Sequence, residues 1–362
     1  MMTPYPLEER ELVVVGAGPA GMCAARMAAD CGMDVLLLEE DARCGGQLNK
    51  QIHKFFGSQE HGAGKRGFEI ARDLEGACRS AGVEIRNKNP VIGGFGDGRL
   101  LVRGEEGLYL LEPHALIVAA GAQEKPLAFP GWTLPGVMGA GAAQTLMNLN
   151  GVLPGRRVVM VGSGNVGLIV SYQLIQAGAV VAVVEIGEKP GGYQVHVNRL
   201  LALGVPFLYR HEVLGAEGAN SVEAVFLRDL ESGKVRRIKV DCVCLAVGMS
   251  PLVELPIMLG CGMAYRDCLG GWLPRHDREM RTTIPGIWVA GDGSGVEEAS
   301  VAMEEGRLAA ASAARDAGRI KGKRAEGLIG EIQARLCELR GGPYNWERRQ
   351  AKEDLGSVTR TA

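Results

Sequence analysis

The architecture of this chain turns on Glu11-Leu-Val-Val-Val-Gly-Ala-Gly-Pro-Ala-Gly21, with Val35-Leu-Leu-Leu-Glu39 behind it. The apolar run predicts a buried parallel strand, the glycines a tight turn into a helix reaching Asp30, and the second run a parallel strand ending in an acid. Gly16 permits the turn out of the strand, Gly18 lets backbone approach a pyrophosphate, and Gly21 lets the helix pack closely on the sheet. The helix start then offers unpaired N–H groups and about +0.5 of partial charge to phosphates. Glu39 stands where it can accept hydrogen bonds from adenosine ribose hydroxyls.

The same unit returns at Arg157-Val-Val-Met-Val-Gly-Ser-Gly-Asn-Val-Gly167, followed by a helix to Ala177 and Val180-Val-Ala-Val-Val-Glu185. Glu39 follows Gly16 by 23 residues, and Glu185 follows Gly162 by the same 23. Gly162, Gly164, Asn165, Val166, Gly167 and Glu185 therefore form a second candidate nucleotide site. Glu185 would repel a 2′-phosphate, and Ile186-Gly-Glu-Lys-Pro190 supplies no arginine cluster, so NAD(H) or another unphosphorylated adenine nucleotide is expected there. The alternative is a relic that keeps its glycine turn for packing.

Composition narrows the class. Lys+Arg number 40 against 42 Asp+Glu, a net charge of −2 that attracts no polyanion, so no nucleic-acid partner is expected. Apolar content of 46% and charged content of 23% are those of a globular chain, and 362 residues allow two or three folded units. Glu8, Glu9, Arg10 and Glu11 precede the first apolar run, an order unlike a signal peptide, so a cytoplasmic location is expected. Val158 to Val184 is uncharged and long enough to span a bilayer, but Gly162, Gly164, Gly167 and Gly178 divide it into strand, helix and strand, so no integral membrane segment is expected.

The nine cysteines include no Cys-x-x-Cys pair, which predicts free thiols and removes a zinc ribbon and a dithiol motif. Cys242 and Cys244 share one face of a strand, as small core residues would. His61, His114, His196, His211 and His276 show no metal-ligand spacing, so no metal site is expected.

Three further motifs follow in order: Gly45-Gly46-Gln47-Leu48, then Ala115-Leu-Ile-Val-Ala-Ala-Gly121, then Thr283-Ile-Pro-Gly-Ile-Trp-Val-Ala-Gly291-Asp292. With the two glycine turns they resemble the two-dinucleotide-domain flavoproteins related to thioredoxin reductase and glutathione reductase, over roughly residues 10 to 320. The resemblance implies an α/β fold of two Rossmann-like, glutathione-reductase-type domains, the second inserted into the first. Residues 1–125 and 249–322 would form the FAD domain and 126–248 the NAD-type domain, with 323–362 a polar C-terminal tail read as an interaction segment. For FAD it implies Gly16, Gly18, Pro19, Ala20, Gly21 and Glu39 at the first turn, and Gly46, Gln47 and Leu48 beside the flavin. It also implies Val91 at adenine, Gly121 at the crossover, and Gly291 and Asp292 at the ribityl and pyrophosphate. A helix expected from Glu297 through Ala311 would aim the N–H groups of Ala299, Ser300 and Val301 at the flavin N1/C2=O edge, favouring the reduced form.

The departures matter as much. There is no cysteine between Cys78 and Cys242, and only Cys44 lies near the first helix, so the resemblance does not extend to disulfide reduction. Cys44 reads either as a flavin-facing thiol or as a small buried residue. The run from Gly291 to Arg307 resembles the larger subunits of opine oxidases, hydrogen cyanide synthase and dye-linked proline or hydroxyproline dehydrogenases. That branch implies a second, amine-oxidising flavoprotein as partner, and any iron–sulfur cluster would come from another small subunit. Asn49 to Gly67 is the least familiar stretch: His53 and Lys54 are candidates for proton transfer or for steadying flavin N5, or the stretch is a basic loop anchored by Phe55 and Phe56. Three readings follow: an electron-transfer subunit of a multi-subunit dehydrogenase of amino or imino acids, a self-sufficient NADH:acceptor reductase, and a non-redox nucleotide-binding subunit.

Overall fold

A computed structural model describes residues 5–341 and 346–356. The chain opens with β1 (Leu7–Val15), α1 (Pro19–Asp30), β2 (Val35–Leu38), α2 (Gly67–Ser80), β3 (Glu84–Arg86), β4 (Val91–Gly94), β5 (Leu100–Gly104) and β6 (Gly107–Val118). After β7 (Ala122–Glu124) come β8 (Val137–Gly139), α3 (Ala140–Asn150), β9 (Arg157–Val161), α4 (Asn165–Gln176), β10 (Val180–Val184), α5 (Gln194–Ala202) and β11 (Phe207–Leu208). Then follow β12 (His211–Glu217), β13 (Ala224–Asp229), β14 (Val235–Lys239), β15 (Cys242–Leu245) and β16 (Met249–Pro251). The chain continues through α6 (Glu254–Met258), β17 (Met263–Arg266), β18 (Gly271–Pro274), β19 (Ile287–Val289), α7 (Ala299–Asp316), α8 (Gly322–Leu339) and α9 (Trp346–Gly356).

Two compact units result. The first gathers residues up to 49, 54–123 and from 250 onward, and the second gathers 50–53 and 124–249. In the first unit a seven-stranded sheet runs β3-β2-β1-β6-β5-β4, with β19 also on β6. The long β6 serves both neighbours: Leu108 to Leu111 pair antiparallel with β5, and Leu116 to Val118 pair parallel with β19. Alternation sorts the β1 side chains to two cores. Leu12 and Val14 pack with the alanines of α1 and α7, whereas Val13 packs with Leu36, Leu100 and Leu111 on the other face.

The second unit repeats the principle with a five-stranded parallel sheet, β11-β10-β9-β15-β8, and adds the antiparallel β12-β13-β14. Val158 and Met160 enter one core, Val159 and Val161 the other. The uncharged run is thus β9, α4 and β10, buried within this unit, and no helix among the described residues is long and apolar enough to cross a membrane. Cys242 and Cys244 lie with their sulfurs 3.6 Å apart inside the same core.

Two expectations shift. The helix expected over 297–311 starts at Ala299 and runs on to Asp316, because the alanines after Ala311 continue its buried face against α1. The stretch from 323 onward, expected as a polar interaction tail, is helical in α8 and α9 where described. Ile329, Ile332 and Leu336 of α8 join the first core, and Ala351 and Leu355 of α9 pack on Leu269 and Leu273. Its apolar positions recur at helical spacing, a pattern that its many charges conceal.

Candidate functional site

Both glycine turns have the geometry their spacing implied. Gly16 and Gly162 sit at φ +97° and +100°, and a Cβ on either would lie 2.4 Å from a carbonyl oxygen, of Ala119 or Ala246. Gly21 and Gly167 lie against the turn itself: an added Cβ would stand 1.8 Å from Gly16 O and 2.3 Å from Gly162 O. Gly18 and Gly164 face open space, with nothing within 4 Å of an added Cβ. The outer glycines therefore make the turn possible, and the middle one leaves the approach clear.

Each strand-end acid ties its own turn. Glu39 Oε2 accepts Ala17 N–H at 2.8 Å and Oε1 accepts Asp41 N–H at 3.0 Å. Burial pushes its pKa up against those two hydrogen bonds. Glu185 accepts Ser163 N–H at 3.0 Å, the Ser163 hydroxyl at 2.5 Å and Gly187 N–H at 2.9 Å. In the second unit the following loop also lies on the turn: Gly192 N–H donates to Ser163 O at 2.9 Å and Tyr193 N–H to Asn165 Oδ1 at 2.8 Å. A Cβ on Gly192 would stand 2.9 Å from Asn165 N, so only glycine lets that backbone rest against the start of α4. Val166 is exposed beside it.

In the first unit, segments far apart in sequence meet at the turn. A Cβ on Gly46 would lie 3.2 Å from Gly18 Cα, one on Gly291 2.7 Å from Ala20 Cβ, and one on Gly306 2.0 Å from Ala20 O. Gly293 closes on Gly121, whose oxygen would be 3.6 Å from an added Cβ. Pro19 opens α1 at a position where its missing N–H costs nothing, and no acid lies in the first turn of α1 or of α7, which begins Ala299-Ser300-Val301. Leu48 is buried with Cys23 and Met303, while Gln47 is exposed. Val91 pairs with Val102 at the sheet edge.

Asp292 is half-buried, and its carboxylate accepts a long hydrogen bond from Glu297 N–H at 3.4 Å. Withdrawal from water, with Glu305 and Glu297 nearby, pushes its pKa up to about 6. Such a carboxylate is suited to donors brought by a polyhydroxyl ligand. With helix first turns that carry no acid and the open face of Gly18, the residues present fit a dinucleotide of the FAD type.

The remaining candidates separate. Lys54 is exposed, with its backbone bridged to Arg66, while His53 is half-buried and groups with the second unit. Burial, with His196 and Arg199 close by, lowers the His53 pKa, so it stands neutral near pH 7. Cys44 is buried, its thiol pushed up to about 12 by desolvation and by Glu75 and Glu39, the setting of an inert core residue. Among the described residues no group of His, Cys, Asp or Glu could hold a metal ion. Sequence reasoning missed Glu305, which accepts Gly291 N–H at 3.0 Å from inside α7. An acid on the buried face of an alanine-rich helix was the available signal.

Fold and glycine turns together define a flavoprotein-type oxidoreductase of two dinucleotide-binding units. A model of the pyridine nucleotide-disulphide oxidoreductase family matches residues 10–306, and the chain belongs to that family. It is 32% identical over 332 residues to an opine oxidase subunit of Agrobacterium tumefaciens, covering 84% of this chain and 65% of that protein. It is 30% identical to hydrogen cyanide synthase subunit HcnB of Pseudomonas protegens, covering 83% and 69%. The chain thus spans about two thirds of the length of these relatives. Thioredoxin reductase of T. acidophilum shares the fold at a TM-score of 0.69 and 23% identity, over 85% of this chain and 99% of that one. L-proline dehydrogenase from P. horikoshii does so at 0.69 and 22%, over 91% and 60%.

Proposed function

We propose that this chain is the FAD-bearing, electron-transfer subunit of a multi-subunit dehydrogenase of amino or imino acids, of the opine, proline or hydroxyproline type. The observation that carries the reading is the convergence of Gly46, Ala20 and Gly291 with Gly306 on one glycine turn, while Cys44, the cysteine beside that turn, is a buried free thiol. Bound FAD would supply two-electron redox chemistry. The chain's own residues would seat it: Gly18 and the start of α1 at the pyrophosphate, Glu39 at the ribose, Asp292 at the ribityl hydroxyls, and the N–H groups of Ala299 to Val301 at the flavin edge. The opine oxidase and hydrogen cyanide synthase relatives are named as subunits, which supports a partner chain; we take that partner to be a second, amine-oxidising flavoprotein, with any iron–sulfur cluster on another small subunit.

The second turn would hold NAD(H) or another adenine nucleotide, with Glu185 selecting against a 2′-phosphate. It also sustains the NADH:acceptor reading. The non-redox reading gives way to the oxidoreductase class of the family. Anaerobic mixing separates the two that remain. Flavin bleaching only with an amine-oxidising partner and its substrate supports the subunit, whereas rapid bleaching by NADH alone overturns it in favour of the reductase.

A further inference from the structure

Glu305 lies on the buried face of α7, and its two oxygens face different parts of the first unit. Oε2 accepts Gly291 N–H at 3.0 Å and lies 2.8 Å from the Ser294 hydroxyl, which is also 2.8 Å from Gly291 O. Oε1 accepts Lys352 Nζ at 2.7 Å and Arg340 Nη2 at 2.5 Å. Lys352 belongs to α9, the last described helix, and its ammonium also donates to Ser294 O and Ser294 Oγ, both at 2.9 Å. Its three donors are thereby used on one loop and one carboxylate. Gly295, at φ +129°, leaves room for the lysine stem: an added Cβ would stand 3.3 Å from Lys352 Cε.

Apolar packing alone holds α9 weakly. Ala351 and Leu355 supply its buried apolar surface, and a cavity of about 260 Å³ opens among α7, α8 and α9, bordered by Met280, Leu308, Leu336 and Arg349. A lysine buried away from its partner is strongly unfavourable, so α9 can seat Lys352 only where Glu305 and the Ser294 carbonyl are in place. The loop it grips, Gly291 to Ser294, carries Asp292.

We propose that Lys352 is a positioning residue for FAD: docking of α9 through Lys352 and Glu305 holds the Gly291–Ser294 loop in its binding shape, so α9 docking and FAD binding strengthen one another. The inference rests on the reading of Gly291-Asp292 as part of the FAD site, and the coupling is reciprocal by linkage.

Two measurements test it. In hydrogen exchange on the wild-type chain, added FAD should slow the amides of 346–356 more than those of the first half of α8, and this difference should vanish in Lys352→Met. In fluorescence titration, Lys352→Met should weaken FAD binding by about tenfold, the scale of a 1.4 kcal/mol coupling, and Lys352→Arg should restore most of it. FAD that binds the wild type without slowing 346–356 overturns the proposal, as does a folded Lys352→Met that binds FAD normally. Should Lys352→Met fail to fold, exchange on the wild type decides alone. A wild-type chain that binds no FAD instead removes the site reading, and the proposal with it.

Discussion

Gly18 and Gly21 stand three residues apart and do opposite work. Gly18 has ordinary backbone angles and open space where a Cβ would go, so Gly18→Ala should leave stability within about 0.5 kcal/mol while FAD affinity falls at least about tenfold. Gly21→Ala would drive its Cβ to 1.8 Å from Gly16 O and should cost at least about 2 kcal/mol. A thermal melt beside a FAD titration separates the pair. Asp292 supplies a pH signature. With its pKa pushed up to about 6, and with hydroxyl donors bound best by the carboxylate, FAD affinity should decline as pH falls through 6. Asp292→Asn should bind weakly with no such decline; a wild-type affinity flat from pH 8 to 5 would refute the assignment.

At the scale of the element, helix starts do different jobs. Those of α1 and α7 carry no acid in the first turn. The start of α3 is instead filled from a distance: Glu124 accepts Gly141 N–H at 2.6 Å and Ala142 N–H at 3.2 Å, and half-buried Lys50 donates to Gly141 O at 3.2 Å. Desolvation lowers the Lys50 pKa, and Glu124 opposes it. Glu124→Ala should therefore destabilise the chain by about 1–2 kcal/mol in urea unfolding without lowering FAD occupancy. The existence of these helices was legible in their spacing. The α3 cap was not, since Glu124 and Gly141 are separated by 17 residues and two turns of chain.

At the scale of the whole molecule, buried ionisable groups set the response to acid. Burial pushes the Glu305 and Glu304 carboxyls up, but Lys352 and Arg340 around the first, and His61, Arg307 and Arg335 around the second, hold them below the usual range. Their stabilisation is present above the unfolded value near 4.5 and is lost as pH falls through their folded values. His276, lowered to about 4 by burial and by Lys352, must take up a proton on unfolding below its usual 6.5. Asp292, pushed up to about 6, and Glu39 act against His276 between pH 6 and 4, so the urea midpoint should fall most steeply below about pH 4.5, where Glu305 and Glu304 lose their pairs, and a midpoint unchanged from pH 4.5 to 3 would contradict the buried network.

The two glycine turns, their acids and the alternating strands were readable because each depends on residues within about thirty positions, where backbone sterics and period leave little choice. The late Gly291-Asp292 segment stood out as a motif, though what shapes it did not. Only the tertiary structure brought Glu305 to Gly291 and Lys352 to Glu305, a partner 47 positions away. A buried charge is tolerable only beside a specific counter-charge, and no local pattern records which distant residue will supply it.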